Sequence, residues 1–292
     1  MKRNYGRIFG AVLVAILGFI GGLLINNALA ALFPEKLALL ANCVSTVGHI
    51  AVCLLGLYLA SKIEGKSLRN YGIYWQRKTG LSLSYGLLVG LILFIGATLP
   101  LYLLGLYKLT AGNHSFYELM SSLVFFIAVG ATEELFFRGF VQHQFMRFGP
   151  LKALLVGAAF FTLIHGLNPN VSGLALMNIF LAGCFFGLIM YASGSLLTAI
   201  GAHITWNWTQ GAILGIPVSG TEESGYFTTV VQPEASWLTG GSFGAEASLS
   251  VTVVLMVVVL GLLFYLNKSK KMRYYQENFN RSFLTNSQKP FV

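Results

Sequence analysis

Three short clusters in an otherwise apolar chain carry groups able to move protons and to meet charge. They are Glu133, Glu134 and Arg138 in EELFFR, Phe161 and His165 in FTLIH, and His203 and Asn207 in HITWN. A carboxylate, two imidazoles and an amide suit acid–base chemistry on a substrate. They also suit an interhelical hydrogen-bond network that only locks helices together, and the residues alone leave both readings open. All ten acidic residues are glutamate, so a paired-aspartate site is excluded. No H-E-x-x-H occurs, which argues against a zincin-type site. Glu133, His165 and His203 remain as a conceivable three-ligand zinc set, but no short-spaced ligand pair supports it, and the expectation is a site without metal or other cofactor.

Helical spacing sorts these groups further. Glu134 and Arg138 are four apart, so carboxylate and guanidinium can pair on one face, while Glu133 is turned by about 100° and is free to point elsewhere. His203 and Asn207 are also four apart and form one stripe, with Trp206 and Trp208 on other faces. At about 1.5 Å per residue, Glu133, His165 and Asn207 lie roughly 18 to 20 Å from the inner ends of their segments and His203 roughly 12 Å. All four are expected to meet in one layer near the middle of a bilayer.

The elements that must hold them there are membrane helices. Hydrophobic residues make up 55% of the 292 positions and charged residues 10%, against about 25% charged in an ordinary soluble domain. Eight apolar segments can be read, at about 8–32, 37–61, 80–106, 117–146, 151–167, 173–192, 195–216 and 248–266. Runs near twenty residues suit helices that cross about 30 Å of hydrocarbon; the alternation of a membrane barrel is absent. The first run is read as an uncleaved span, and the fourth is long enough that it is expected to bend or to continue along the inner surface.

The net charge of +9 would suggest nucleic acid in a soluble protein, but here the basic residues follow the membrane. With eight spans and both termini cytoplasmic, 17 of the 19 Lys and Arg fall inside and only Lys36 and Lys108 outside, as the positive-inside rule requires. The longest outer loop, about 217–247, contains Glu222, Glu223, Glu234 and Glu246 and no basic residue. The division expected is a transmembrane domain over 1–268 and a basic cytoplasmic tail over 269–292 that touches anionic headgroups.

Other polar or small residues have plainer readings. Cys43, Cys53 and Cys184 sit in apolar runs and are read as packing residues. His49 is expected to be a hydrogen-bonded packing histidine, His143 to lie on an interfacial face with Gln142, Gln144 and Arg147, and Asn178 to bond across helices. Gly183 and Gly187 are expected to permit close helix contact. Ser193 lies at an inner boundary, away from the depth of the histidines.

The three clusters resemble the motifs of the CAAX-protease and bacteriocin-processing family of intramembrane endopeptidases: E-E-x-x-x-R at Glu133, Glu134 and Arg138, F-x-x-x-H at Phe161 and His165, and H-x-x-x-N at His203 and Asn207. The resemblance covers about 119–217. It implies that Glu133 and His165 activate a water, that His203 and Asn207 hold the oxyanion, and that Glu134 and Arg138 support them. Phe161 is read as a packing neighbour of His165. The substrate implied is a peptide or membrane protein; in some relatives it is a prenylated CAAX protein, in others a processed peptide.

The expectation is therefore an all-α, polytopic bundle of about eight spans that hydrolyses a peptide bond in or near the bilayer, without nucleic acid as partner. Two other readings stand beside it. One is a non-proteolytic scaffold, immunity or signalling protein of the same fold, which would not need a free Glu133. The other is a transporter with a proton relay, against which the chain shows no halved symmetry.

Overall fold

The computed structural model describes residues 5–73, 79–112, 115–232 and 236–277. Lys2, Arg3, Arg77, Lys78, Glu234, Arg281 and Lys289, and with them the tail from 278 onward, lie outside the described residues.

Each apolar segment folds as a helix: α1 Tyr5–Ala30, α2 Ala38–Glu64, α3 Thr79–Leu103, α4 Phe116–Glu134, α5 Pro150–His165, α6 Gly173–Ser193, α7 Leu196–Trp208 and α8 Leu249–Lys268. Local sequence sets the ends. Ser115 and Glu118 form a capping box at the start of α4, and Pro150 opens α5 where its missing N–H costs nothing. Gly65 and Gly194 close α2 and α6 in the left-handed conformation that glycine adopts freely.

Six helices are long and apolar enough to cross a membrane among the described residues. The protein is thus a multi-pass, all-helical membrane bundle. The expected count of eight is not reached by length, because α5 has 16 residues and α7 has 13, short of the roughly 20 a span requires. The fourth segment is one continuous helical stretch, Phe116–Phe148, about 50 Å long. Part-way along it changes pitch: α4 passes into a π-helix over Leu135–Gln142. A second π-helix, Thr209–Ile213, follows α7.

One element is not helical. β1, Tyr107–Ala111, pairs antiparallel with β2, Phe227–Val231, so the connection after α3 is tied to the long connection before α8. At that same end Leu39 N–H donates to Tyr117 Oη, and Asn168 Nδ2 donates to Ser219 O. At the other end Glu64 accepts from Tyr71 and from Gln144 Nε2, Tyr191 Oη donates to Pro150 O, and Lys271 Nζ donates to Ala192 O. Residues 271–277 are helical, and Tyr275 packs with its ring 4.8 Å from that of Tyr191.

α1 and α2 form a hairpin on one flank, α3 lies along α7, and α8 covers α6. Gly183 meets Ala158 of α5 and Gly187 meets Leu154, so the G-x-x-x-G does bring two helices close. His49 packs against Gly22 of α1, but its Nε2 has no partner, contrary to the hydrogen bond expected. His143 is not interfacial. It is 2% exposed, under Gly72 and Leu196, with Nδ1 against the Arg138 carbonyl. The long α4 stretch carries it beneath the 68–72 turn rather than out to the surface.

Candidate active site

Glu133 stands in the last turn of α4, just before the π-helix. π-helical insertions widen a helix by one residue per turn and recur at functional sites. Here the widened stretch is wholly buried, and it carries Arg138. Arg138 Nη1 donates to Glu134 Oε1 at 2.7 Å, both side chains being fully buried. The guanidinium also donates to Gly183 O at 3.3 Å and lies over the Phe161 and Phe186 rings. The pairing of Glu134 with Arg138 is as the spacing predicts.

Glu134 has a second partner that the spacing does not reveal. His203 Nδ1 donates to the same Glu134 Oε1 at 2.9 Å, and its ring stacks on Phe186 with centroids 4.8 Å apart. Glu134 thus orients His203 of α7 rather than its neighbour Glu133. A fully buried Arg–Glu–His chain of this kind is costly to desolvate and holds only if its members stay together.

His165, the last residue of α5, is fixed differently. Its Nδ1 donates to Phe161 O at 2.8 Å, and the Phe161 ring lies against it. Because a carbonyl can only accept, the proton sits on Nδ1, and in the neutral ring Nε2 carries a bare lone pair. That Nε2 is 3.9 Å from Glu133 Oε2, and His203 Nε2 is 3.8 Å from the same oxygen. Glu133 Oε2 has no hydrogen-bond partner in the protein. One turn beyond His203, the Asn207 side chain is 6% exposed and makes no hydrogen bond.

Glu133, His165, His203 and Asn207 all line one cavity of about 190 Å³. Its walls are apolar and aromatic, from Phe125, Phe126, Phe185, Phe186 and Trp206, and residues of the connection between α7 and α8 complete its lining. Glu134 and Arg138 lie behind the wall, not on it. Asn178 contributes to the lining, but its amide is spent on Glu246 O, Ser248 O and Thr252 Oγ1, where it clamps α6 to the start of α8. Ser193 is occupied by backbone carbonyls at the far end of α6.

Sequence reasoning missed the other polar lining. Ser219, Thr221, Glu223 and Glu246 come from the acidic loop, whose lack of basic residues was legible but was read only as topology. Glu246 accepts from Ser219 N–H at 2.5 Å, from Ser219 Oγ, and from Gln210 Nε2 of the second π-helix at 3.3 Å. Burial raises its carboxyl above the usual range, against the pull of Ser219, His165 and Gln210. Burial alone pushes the Glu223 carboxyl up to about 7. No group of three or more His, Cys or Glu side chains among the described residues is set to hold a metal ion.

Residues 115–209 match the family model described as type II CAAX prenyl endopeptidase Rce1-like. This stretch is similar to that family. It covers about a third of the chain and contains every member of the three motifs, from Glu133 to Asn207. The Rce1-like stretch ends before the acidic loop, so Glu223 and Glu246 lie outside the match. No curated protein and no solved structure matches the chain.

Proposed function

We propose that the protein is an intramembrane endopeptidase that hydrolyses a peptide bond with water activated by Glu133. The observation that carries this reading is the unpartnered Glu133 oxygen, 3.8 to 3.9 Å from two imidazoles in a single cavity. The Rce1-like match supports it. A purely structural network would satisfy that oxygen, since an orphaned buried polar atom is costly.

The steps follow from the atoms. A water between Glu133 and His165 gives its proton to Glu133 while the Nε2 lone pair of His165 orients it, and its oxygen attacks the scissile carbonyl. The oxyanion that forms accepts from the Asn207 amide and from His203 Nε2 when that ring carries its second proton, which Glu134 supports at Nδ1. Collapse breaks the C–N bond, and Glu133 returns its proton to the leaving amine. No metal is needed for any step; protein freed of metal should retain its rate, and loss in strong chelator restored by zinc would overturn that.

The bundle is read as eight crossings with both termini cytoplasmic, α5 and α7 being short crossings, of which α7 is enclosed by other helices and α5 keeps an exposed apolar face. The basic residues favour the end bearing 62–73 and 268–277 as the inner one. Glu222→Cys and Lys270→Cys, each in a background without native cysteines, should be labelled from opposite sides by an impermeant reagent. Labelling from one side would refute the crossing count.

The decisive test is a proteomic comparison of membranes carrying the intact chain with membranes carrying Glu133→Gln. Peptides that appear only with the intact chain identify the substrate. Identical peptide profiles at equal protein yield would refute the peptidase reading and leave a scaffold.

A further inference from the structure

The charge of the cavity bears on what can enter it. Its ionisable lining is Glu133, Glu223, Glu246, His165 and His203, with no Lys or Arg. Among the described residues, the cation nearby is Arg138, which is fully buried and committed to Glu134. With neutral histidines the lining can therefore reach three negative charges in an apolar, aromatic enclosure, where charges interact strongly.

Of the two carboxylates from the loop, Glu223 is left unused by the fold and Glu246 is only partly engaged. Glu223 makes no hydrogen bond or ion pair. Glu246 takes its short bonds on Oε2, while Oε1 accepts only from Ser219 Oγ at 3.1 Å. A carboxylate has about four acceptor sites, so Oε1 keeps one free, and Glu246 is among the residues that line the cavity. The grip on Ser219 also holds that residue at a φ of 48°, a left-handed conformation costly outside glycine, which fixes the loop over the cavity. The unbonded Asn207 amide, itself more than nine-tenths buried, marks the same space as one built for a ligand.

We propose that the cavity selects peptides with a Lys or Arg side chain next to the scissile bond, on the side facing the 217–246 loop, and that Glu223 and Glu246 receive that cation. This rests on the peptidase reading for the position of the scissile bond. The aromatic walls take the apolar remainder of the segment, and the long aliphatic stem of a basic residue can pass along them before its head reaches the carboxylates. Burial raises the Glu223 carboxyl to about 7, so an arriving cation can shift it to the ionised form.

The test uses the full chain in zwitterionic nanodiscs, with quenched-fluorescent peptides that share an apolar core, end in an amide and differ at one flanking position: Lys, norleucine or Glu. Cleavage is measured with the intact chain and binding with Glu133→Gln. The Lys peptide should bind and turn over at least about tenfold better than norleucine, as for a charged hydrogen bond, with Glu last. Glu223→Gln should bring the Lys-to-norleucine ratio toward one, and Glu223→Arg should invert the order. If Glu223→Arg does not fold, the ratio in Glu223→Gln decides. Equal binding of the three peptides overturns the inference even if all are cleaved. Lys-selective binding without cleavage upholds it and refutes the peptidase reading instead.

Discussion

The α1–α2 hairpin is joined through glycine. Gly18 and Gly56 lie so close that a Cβ on either would fall 2.6 Å from the other's Cα. α4, α6 and α7 are joined instead through a polar chain, Arg138–Glu134–His203, sealed by Phe161 and Phe186. The most apolar window of α6 is 61% buried and those of α1 and α2 only 28%, so the first group faces protein and the second faces outward. In a bilayer, where apolar contact gains little over lipid, these are the two available ways to hold helices together: close backbone packing and specific hydrogen bonds. The hairpin uses the first, which tolerates no added volume. The cavity helices use the second, which tolerates no lost partner.

The largest expected effect tests the cavity group without touching its partners. Glu133→Gln keeps shape and leaves the Arg138–Glu134–His203 chain intact, so yield and melting temperature should stay near the parent while the cleavage rate falls by roughly 10² to 10⁴. Substantial turnover would mean that another group is the base. Next comes Glu134→Ala, which strands a buried guanidinium and removes the acceptor of His203. A loss of about 3 to 5 kcal/mol is expected, seen as low extracted yield together with low activity. Full yield with no activity would exchange the roles of the two glutamates.

Gly56→Val probes the other strategy. It should cost about 1 to 3 kcal/mol by overpacking, lowering the melting temperature while the rate per folded molecule stays within about threefold, because the variant touches no cavity residue. A selective loss of rate would show that the hairpin shapes the cavity. A smaller effect is expected from Glu223. Its folded carboxyl is raised to about 7, above the unfolded value, so the stability it contributes is present at low pH and is lost as pH rises toward and through 7. Glu223→Gln should flatten the fall in melting temperature between pH 5 and 8, by the equivalent of about 1 to 2 kcal/mol after screening through its exposed side. An unchanged slope would place the carboxyl in water. The smallest effect is His49→Leu, which removes an orphaned Nε2 from the glycine seam and should change stability by less than about 1 kcal/mol, in either direction; a large loss would reveal a partner for that nitrogen.

The sequence made legible what depends on helical spacing. One turn separates Glu134 from Arg138 and His203 from Asn207, so each pair could be placed on a face before any tertiary contact was known. The convergence of three helices on one depth was also readable, because the rise per residue is fixed. The second partner of Glu134 was not, since His203 is 69 residues away and reaches it only through packing. Neither π-helix was foreseen, because a π insertion leaves no residue-type signature in EELFFR or in TQGAI. The depth of His143 was misjudged because the 68–72 turn, which covers it, has no apolar periodicity to announce its position. Glu246 escaped for the same reason: loop residues have no period from which a direction can be drawn.

The ribbon of β1 and β2 has a consequence for the order in which the chain can be assembled. Tyr107 pairs with Val231 and Ala111 with Phe227, so strands flanking four complete helices must meet. During synthesis β1 is finished while everything from α4 to β2 is still to be made. Its edge therefore waits, unpaired, until α7 is inserted and the following loop has emerged. Pairing at so long a separation carries a large closure entropy and comes late. The ribbon joins the bonds of Asn168 to Ser219 and of Gln210 to Glu246 in holding the acidic loop, and none of these can form until that loop has emerged, so this wall of the cavity is completed only after the helices bearing Glu133, His165 and His203 have been made.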